Sequence, residues 1–141
     1  MRSRISVVSL GVADLARSRA FYCDGLGFKA RPESSERAVF LELEDTWLSL
    51  FPRESLARLA HTSPEGSGFS GVVLSHNVAT AVEVNEIIDR ALKAGGSLQV
   101  PVEDVPVGRI AYFADPDGYL WEVAYTPRWP ELTPPLKPGQ T

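Results

Sequence analysis

A chain of 141 residues is long enough for one domain with a sizeable apolar core. Its net charge of −4 argues against nucleic acid as a partner, and no apolar run is long enough to predict a membrane span. The first residues lack the apolar segment of a secretory signal, and the single cysteine, Cys23, allows no internal disulfide. Together these features predict a cytoplasmic protein.

The first half of the chain predicts one strand, one helix and then three strands. Residues 5–12 are apolar and β-branched, which is typical of a buried strand. Asp14 is a favourable helix N-cap, and the glycines at 25 and 27 end the predicted helix. The elements predicted after it are a short strand at 28–31, hairpin strands at 37–44 and 46–51, and a short helix at 53–60.

A segment rich in turn residues separates this half from a second half with the same order of elements. Thr80 and Glu83 have the spacing of a capping box at the start of the second long helix. The tail has too many prolines for a regular element and is predicted to be extended or disordered. The predicted organisation is an N-terminal module at 1–60, a linker at 61–70, a C-terminal module at 71–126 and a Pro-rich extended tail at 127–141, all in one domain.

The repeated βαβββ order, the opening "LGVADLARSRAFYCDGLGF" and the ending "FADPDGYLWEV" together resemble the vicinal oxygen chelate superfamily. That superfamily includes glyoxalase I, the bleomycin-resistance proteins and the extradiol dioxygenases. The resemblance, over about residues 5–125, implies an α+β fold in which two βαβββ modules form a cupped, partly open eight-stranded mixed sheet around a small molecule. It also implies a homodimer, and leaves open whether each cup is built within one chain or across two.

In metal-dependent members of that superfamily, four strands each offer one ligand, usually His or Glu, to a divalent cation. Carried over by position, the four ligand positions fall on Val7, Ser49, Val73 and Glu122. Valine has no lone pair and serine is a poor ligand, so the resemblance implies no bound metal. A Zn²⁺, Ni²⁺, Mn²⁺ or Fe²⁺ ion bound through Glu122 is the alternative. His76 is expected on the opposite strand face, as a core or surface histidine.

Counting by twos along the strands separates a cup face from a face that packs under the helices. Tyr112 is added because the fosfomycin-resistance enzymes, which the chain resembles here, have a site tyrosine at this position. The predicted ligand-binding residues are Val7, Ser9, Trp47, Ser49, Phe51, Val73, Ser75, Asn77, Ile110 and Leu120, and the candidate catalytic residues are Glu122 and Tyr112. Apolar and aromatic walls with a few polar groups are typical of a small-molecule site.

Core packing does not explain Glu122, because a charge inside an apolar strand costs free energy. Three interpretations are open. Glu122 is a relic ligand position that is hydrogen-bonded to Ser49, Tyr112 or water; or it binds a cationic or hydroxylated ligand; or it is a general base whose pKa is raised by apolar surroundings.

Two functions of different classes follow. The first is a metal-free binder of a small aromatic or cationic compound, which predicts binding without turnover. The second is a lyase, isomerase or dioxygenase that uses Glu122 as metal ligand or general base, and whose metal-dependent form a chelator would inactivate. A third hypothesis makes the chain a dimeric structural partner, with Trp129 and the Pro-rich tail packed on a neighbour.

Overall fold

The computed structural model describes residues 1–140, which divide into two units, Met1–Gly68 and a second unit that begins at Phe69. The division falls inside the predicted linker at 61–70. No helix in the part of the chain that the structure describes has the length and apolar character of a membrane-spanning segment. Each unit contains one mixed sheet, and the two are described separately below.

The first unit forms a four-stranded sheet in the order β1-β4-β3-β2. In chain order its elements are β1 (Val7–Val12), α1 (Leu15–Arg19), a π-helical turn (Ala20–Gly25), β2 (Lys29–Ala30), β3 (Val39–Glu42), β4 (Trp47–Pro52) and α2 (Arg53–Leu59). Strands β1 and β4 are parallel, whereas the other pairs are antiparallel. As predicted, Asp14 caps the first helix, because its side chain accepts a hydrogen bond from the backbone N–H of Arg17 at 3.0 Å.

One face of the first sheet forms the core of this unit. Alternation along β1, β3 and β4 places branched aliphatic side chains on that face, where they lose almost all contact with water. The buried set is Leu10, Val12, Val39, Leu41, Leu48 and Leu50, joined by Phe21 and Tyr22. The other face of the sheet carries the residues that the sequence predicts for ligand binding.

The second unit repeats this architecture, with a four-stranded sheet in the order β5-β8-β7-β6. Up to residue 140 its elements are β5 (Val73–Asn77), α3 (Ala81–Lys93), β6 (Ser97–Val105), β7 (Gly108–Ala114), β8 (Leu120–Tyr125) and a 3₁₀ turn (Pro130–Leu132). Strands β5 and β8 are parallel, and the others pair antiparallel. Two βαβββ modules with mixed sheets confirm the predicted α+β class, with the eight described strands divided between two four-stranded sheets.

Helix α3 packs on one face of the second sheet through its apolar stripe of Val84, Ile88 and Ala91. The predicted capping box is present: Thr80 Oγ1 accepts from the backbone N–H of Glu83, and the Glu83 carboxylate accepts from the backbone N–H of Thr80. The residues that the sequence predicts for ligand binding in this unit lie on the opposite face of the sheet.

The tail contains a short 3₁₀ turn and contacts Glu83 of α3. Pro130 begins the 3₁₀ turn, where its fixed φ fits and its missing N–H costs nothing. Further along, Gln140 Nε2 donates to Glu83 Oε1 at 3.1 Å and Lys137 Nζ lies 3.2 Å from the same oxygen. Oε2 of Glu83 is used by the capping box, and the buried Oε1 needs hydrogen-bond partners of its own. The two tail residues supply them. Thr141, the last residue of the predicted tail, lies outside the described residues.

Candidate functional site

Glu122 lies in the middle of β8, which has β5 on one side and β7 on the other. Its register partners are Ser75 on β5 and Tyr112 on β7, so all three side chains lie on the same face at the same level. Tyr112 donates its hydroxyl hydrogen to Glu122 Oε2, and Ser75 Oγ donates to Oε1 at 3.1 Å. These three residues are called the carboxylate cluster below.

The carboxylate changes the acidity of its tyrosine neighbour. The hydrogen bond to Glu122 raises the pKa of Tyr112 to about 12, and partial burial and the negative charge of Glu122 act in the same direction. Loss of the proton would leave a phenolate beside a carboxylate. Tyr112 therefore stays neutral throughout the physiological pH range, and its hydroxyl group donates a hydrogen bond to Glu122.

Apolar side chains frame the cluster on the same sheet face. Val73 pairs with Leu120, and Ile110 pairs with Ala124, two residues along β8 from Glu122. Val73 is 38% exposed, and Leu120 and Ile110 are half-buried, so the frame is accessible rather than sealed. The structure thus brings the predicted residues of the second unit to one face, as alternation along the strands requires.

Asn77, also predicted to bind a ligand, is two residues beyond Ser75 on β5 and lies on the same face. Its Nδ2 donates to Thr126 Oγ1 at 2.9 Å, which ties β5 to the start of the tail. Thr126 is a buried polar residue that the sequence analysis missed. Its position directly after β8 was the only signal, since the partner that it finds on β5 is distant in sequence.

The predicted residues of the first unit also share one face. Val7 pairs with Trp47, and Ser9 pairs with Ser49, whose hydroxyl donates to Ser9 Oγ at 2.7 Å. Ser49 is fully buried. Phe51 continues the face at the end of β4. The polar pair is therefore a part-buried hydrogen bond between buried Ser49 and exposed Ser9.

Two residues of this face were missed. Phe40 pairs with Ser49, and its ring lies 6.2 Å from that of Trp47. Arg31 places its guanidinium carbon 4.0 Å from the Trp47 ring centroid, as in a cation–π contact. The alternation of β3 predicts the face of Phe40, whereas Arg31 follows a two-residue strand and gave no such signal.

A cavity of about 670 Å³ opens beside this face, between the segment before β1 and the turn from β3 to β4. Val7 and Trp47 line it together with Arg4 and the acidic residues Glu42, Glu44 and Asp45. Two predicted ligand-binding residues thus border a cavity that lies within the first unit.

The two units place different chemistry at matching positions. The strand positions of the carboxylate cluster correspond in the first sheet to Ser9, Ser49 and Phe40, in the same register. There, a buried neutral hydroxyl stands where the second sheet has a carboxylate, and a phenyl ring stands where it has a phenol. The repeated architecture does not require a charge at this position, so Glu122 needs an explanation of its own.

The donor set does not fit a divalent metal. Of the four positions that the resemblance assigns to ligands, Val7 and Val73 have no lone pair, and the hydroxyl of Ser49 is buried against Ser9. Glu122 alone has a carboxylate, and both of its oxygens accept hydrogen bonds from the protein. Among residues 1–140, no group of three or more His, Cys, Asp or Glu side chains is arranged to hold a metal ion.

His76 does not join the cluster. Its register partner is Val123, the neighbour of Glu122 in sequence, so His76 lies on the opposite face of the sheet. The side chain is exposed there. The exposed position agrees with the expected surface histidine.

Comparison with known proteins places this geometry among relatives. A family model described as the Glyoxalase/Bleomycin resistance protein/Dioxygenase superfamily matches residues 4–123. Among solved structures, a glyoxalase-related enzyme from Fulvimarina pelagi is 28% identical, with a TM-score of 0.82, over 99% of this chain and 96% of that one. A search of curated proteins found no match.

Two further solved structures share the fold at lower identity. Lactoylglutathione lyase from Agrobacterium tumefaciens is 24% identical, with a TM-score of 0.68, over 92% of this chain and 98% of that one. A glyoxalase/bleomycin resistance protein/dioxygenase family enzyme from Burkholderia phytofirmans PsJN is 22% identical, with a TM-score of 0.76, over 86% and 97% of the two chains. Similarity at this level shows a common fold and no more.

Proposed function

Because the chain belongs to the glyoxalase/bleomycin resistance protein/dioxygenase superfamily, we propose that it binds a small organic molecule, and that it does so without a divalent metal. The observation that carries this proposal is the carboxylate cluster. One ionisable group, held by two hydroxyls, lies in the middle of an accessible sheet face that is otherwise largely apolar. This combination is the usual composition of a small-molecule site.

Stability does not account for the cluster. Each hydrogen bond to a charged carboxylate contributes roughly 1.5–3 kcal/mol, but partial desolvation of the charge offsets much of that gain. A well-packed apolar residue at position 122 would serve the fold equally well, and Ser49 shows that the equivalent strand position in the first unit needs no charge. A carboxylate whose position is fixed by two donors is suited instead to hold a partner group on a ligand.

The donor set supports binding that does not depend on metal. The two valines at ligand positions supply no lone pair, and the Glu122 oxygens are already engaged by Tyr112 and Ser75. The rival function, a lyase, isomerase or dioxygenase, has weaker support from the same geometry. A general base at Glu122 needs an electrophile nearby, and the candidates Tyr112 and Asn77 both donate to protein oxygens.

The test combines metal analysis with a ligand screen on the whole chain. Elemental analysis and calorimetric titration with Ni²⁺, Zn²⁺, Mn²⁺ and Fe²⁺ are expected to show no stoichiometric ion. A thermal-shift screen of small aromatic and cationic compounds is expected to find ligands that stabilise the protein equally with and without a chelator. The effect is expected to be lost in Glu122→Gln and retained in Glu86→Gln, the same change at an exposed position of α3.

Two results would contradict the proposal. Near-stoichiometric metal that is lost in Glu122→Ala would favour the enzyme function with Glu122 as ligand. A broad screen without any ligand that depends on Glu122 would remove the binding function. The expected homodimer is a separate part of the proposal, and light scattering after size-exclusion chromatography measures it directly.

A further inference from the structure

We infer that the ligand of the carboxylate cluster is an organic cation with at least two N–H donors and a compact apolar body, such as an aryl amidinium or guanidinium. The inference rests on the proposed function, and it follows from which hydrogen-bonding groups the cluster has left unused.

All hydroxyl hydrogens of the cluster are spent inside it. A tyrosine or serine hydroxyl has one hydrogen, and those of Tyr112 and Ser75 are both donated to Glu122. What remains to a ligand is lone pairs: one or more on each carboxylate oxygen, and those of the two hydroxyl oxygens. A carbonyl, carboxylate or phosphonate would have to break an existing hydrogen bond to be bound, whereas an N–H donor would not.

The charge of the face selects the same class of ligand. The strands of this sheet contain one Lys or Arg residue, Arg109 on β7. Its register partner is Asp104, and both lie on the face opposite Glu122. There its Nε donates to Asp104 Oδ1 at 2.7 Å, and its Nη1 donates to Asn85 of α3 at 3.2 Å. On the face of Glu122, the second charged residue of the strands is Glu103, the register partner of Ile110. Both charges on the strands of this face are negative, so an anion is repelled and a cation attracted.

The shape of the cluster explains the number of donors. The two Glu122 oxygens each keep an unused lone pair, which is the arrangement that a planar amidinium or guanidinium matches with two parallel N–H groups. Around them, Val73, Ile110, Leu120 and the β6 residue Val100, register partner of Tyr112, present apolar surface. A ring attached to the cationic group would remove this surface from water.

Three probes of nearly equal shape test the inference: benzamidinium, benzamide and benzoate, which are cationic, neutral and anionic. Isothermal titration calorimetry and saturation-transfer NMR on the whole chain give their relative affinities. Benzamidinium is expected to bind at least about tenfold more tightly than either analogue, since one charge-assisted pair is sufficient for that ratio. Its affinity is expected to fall about tenfold in Glu122→Gln and to be unchanged in Glu86→Gln, the same change at an exposed position of α3.

Tyr112→Phe separates charge recognition from loss of the local structure. This variant keeps the carboxylate and its charge but removes one of its two donors, so benzamidinium is expected still to bind more tightly than benzamide and benzoate. Benzoate or benzamide binding as tightly as benzamidinium in a Glu122-dependent manner would overturn the cation inference and leave the proposed function standing. Failure of benzamidinium to bind at its solubility limit, while neutral or anionic compounds of the wider screen bind, would also overturn the cation inference and leave the proposed function standing. Failure of every compound would overturn both.

Discussion

Replacing Glu122 with glutamine is expected to lower the pKa of Tyr112. In the unaltered protein the hydrogen bond to the carboxylate, partial burial and the carboxylate charge together raise that pKa from 10.0 to about 12. The variant removes the charged acceptor and its charge, and leaves the burial. Because the hydrogen bond is the largest of the three causes, we expect a fall of about 1 unit or more.

The same shift predicts how stability changes in alkaline solution. A tyrosine whose pKa is raised by folding stabilises the folded state fully below pH 10.0 and loses that contribution as the pH rises towards 12. A shift of this size corresponds to at most about 2.7 kcal/mol, and partial exposure of Tyr112 reduces the expected loss to about 1–2 kcal/mol. In Glu122→Gln the alkaline loss is expected to be smaller.

Carbon-13 NMR of labelled tyrosine measures the titration directly. The chain has four tyrosines, and Tyr112→Phe identifies the signal of interest. Ser75→Ala is the matched control, because it removes the second donor to Glu122 but keeps the charge, so the pKa of Tyr112 is expected to stay high. An unchanged Tyr112 titration in Glu122→Gln would refute the idea that the carboxylate sets the acidity of this phenol.

Three further predictions concern stability. Burial disfavours ionisation of Glu83, but its hydrogen bonds lower its pKa from 4.5 to about 2. The ionised side chain therefore stabilises the folded state by about 2 kcal/mol above pH 4.5, and this contribution is lost as the pH falls towards 2. Thermal melts across that range should show a flatter acid limb in Glu83→Gln, and an identical limb would contradict the assignment. Gly108→Ala would place a Cβ 1.8 Å from the carbonyl oxygen of Tyr125 at a φ of +150°, so urea unfolding should show a loss of about 3 kcal/mol or more, and an unaltered midpoint would disprove the clash. Ser49→Ala removes a part-buried hydrogen bond to Ser9 and should cost about 1 kcal/mol in the same assay, while a stabilising effect would show that this bond is replaceable.

The element order and the faces of the strands were predictable because they depend on local signals. The Asp14 cap, the Thr80 capping box and the alternation along β8 each involve residues close in sequence. The repeated βαβββ order followed from the order in which such signals repeat, and the resemblance then implied the α+β class. Even so, the π-helical turn after α1 had no counterpart in the pattern.

The partners of Glu122 were only partly predictable. Tyr112 was among the expected hydrogen-bond partners because the resemblance implied a site tyrosine at its position, and β7 and β8 place it level with Glu122. Ser75 was assigned to the correct face but not to the level of Glu122, because that level depends on the register of a parallel pair joined by a long connection. The contact of Gln140 with Glu83 spans 57 residues and was missed because no local pattern links residues so far apart.

The two hydrogen bonds of Glu122 differ in how far the chain must close to make them. Tyr112 is 10 residues away, across one hairpin, whereas Ser75 is 47 residues away, across the parallel pairing of β5 with β8. Closure of the longer loop costs more entropy, so the hairpin is expected to form early in refolding and the edge strand β5 to join late. The carboxylate cluster would then be complete only in the final step of folding. Because a ligand of the cluster binds only after that step, it should slow unfolding and leave the rate of folding unchanged.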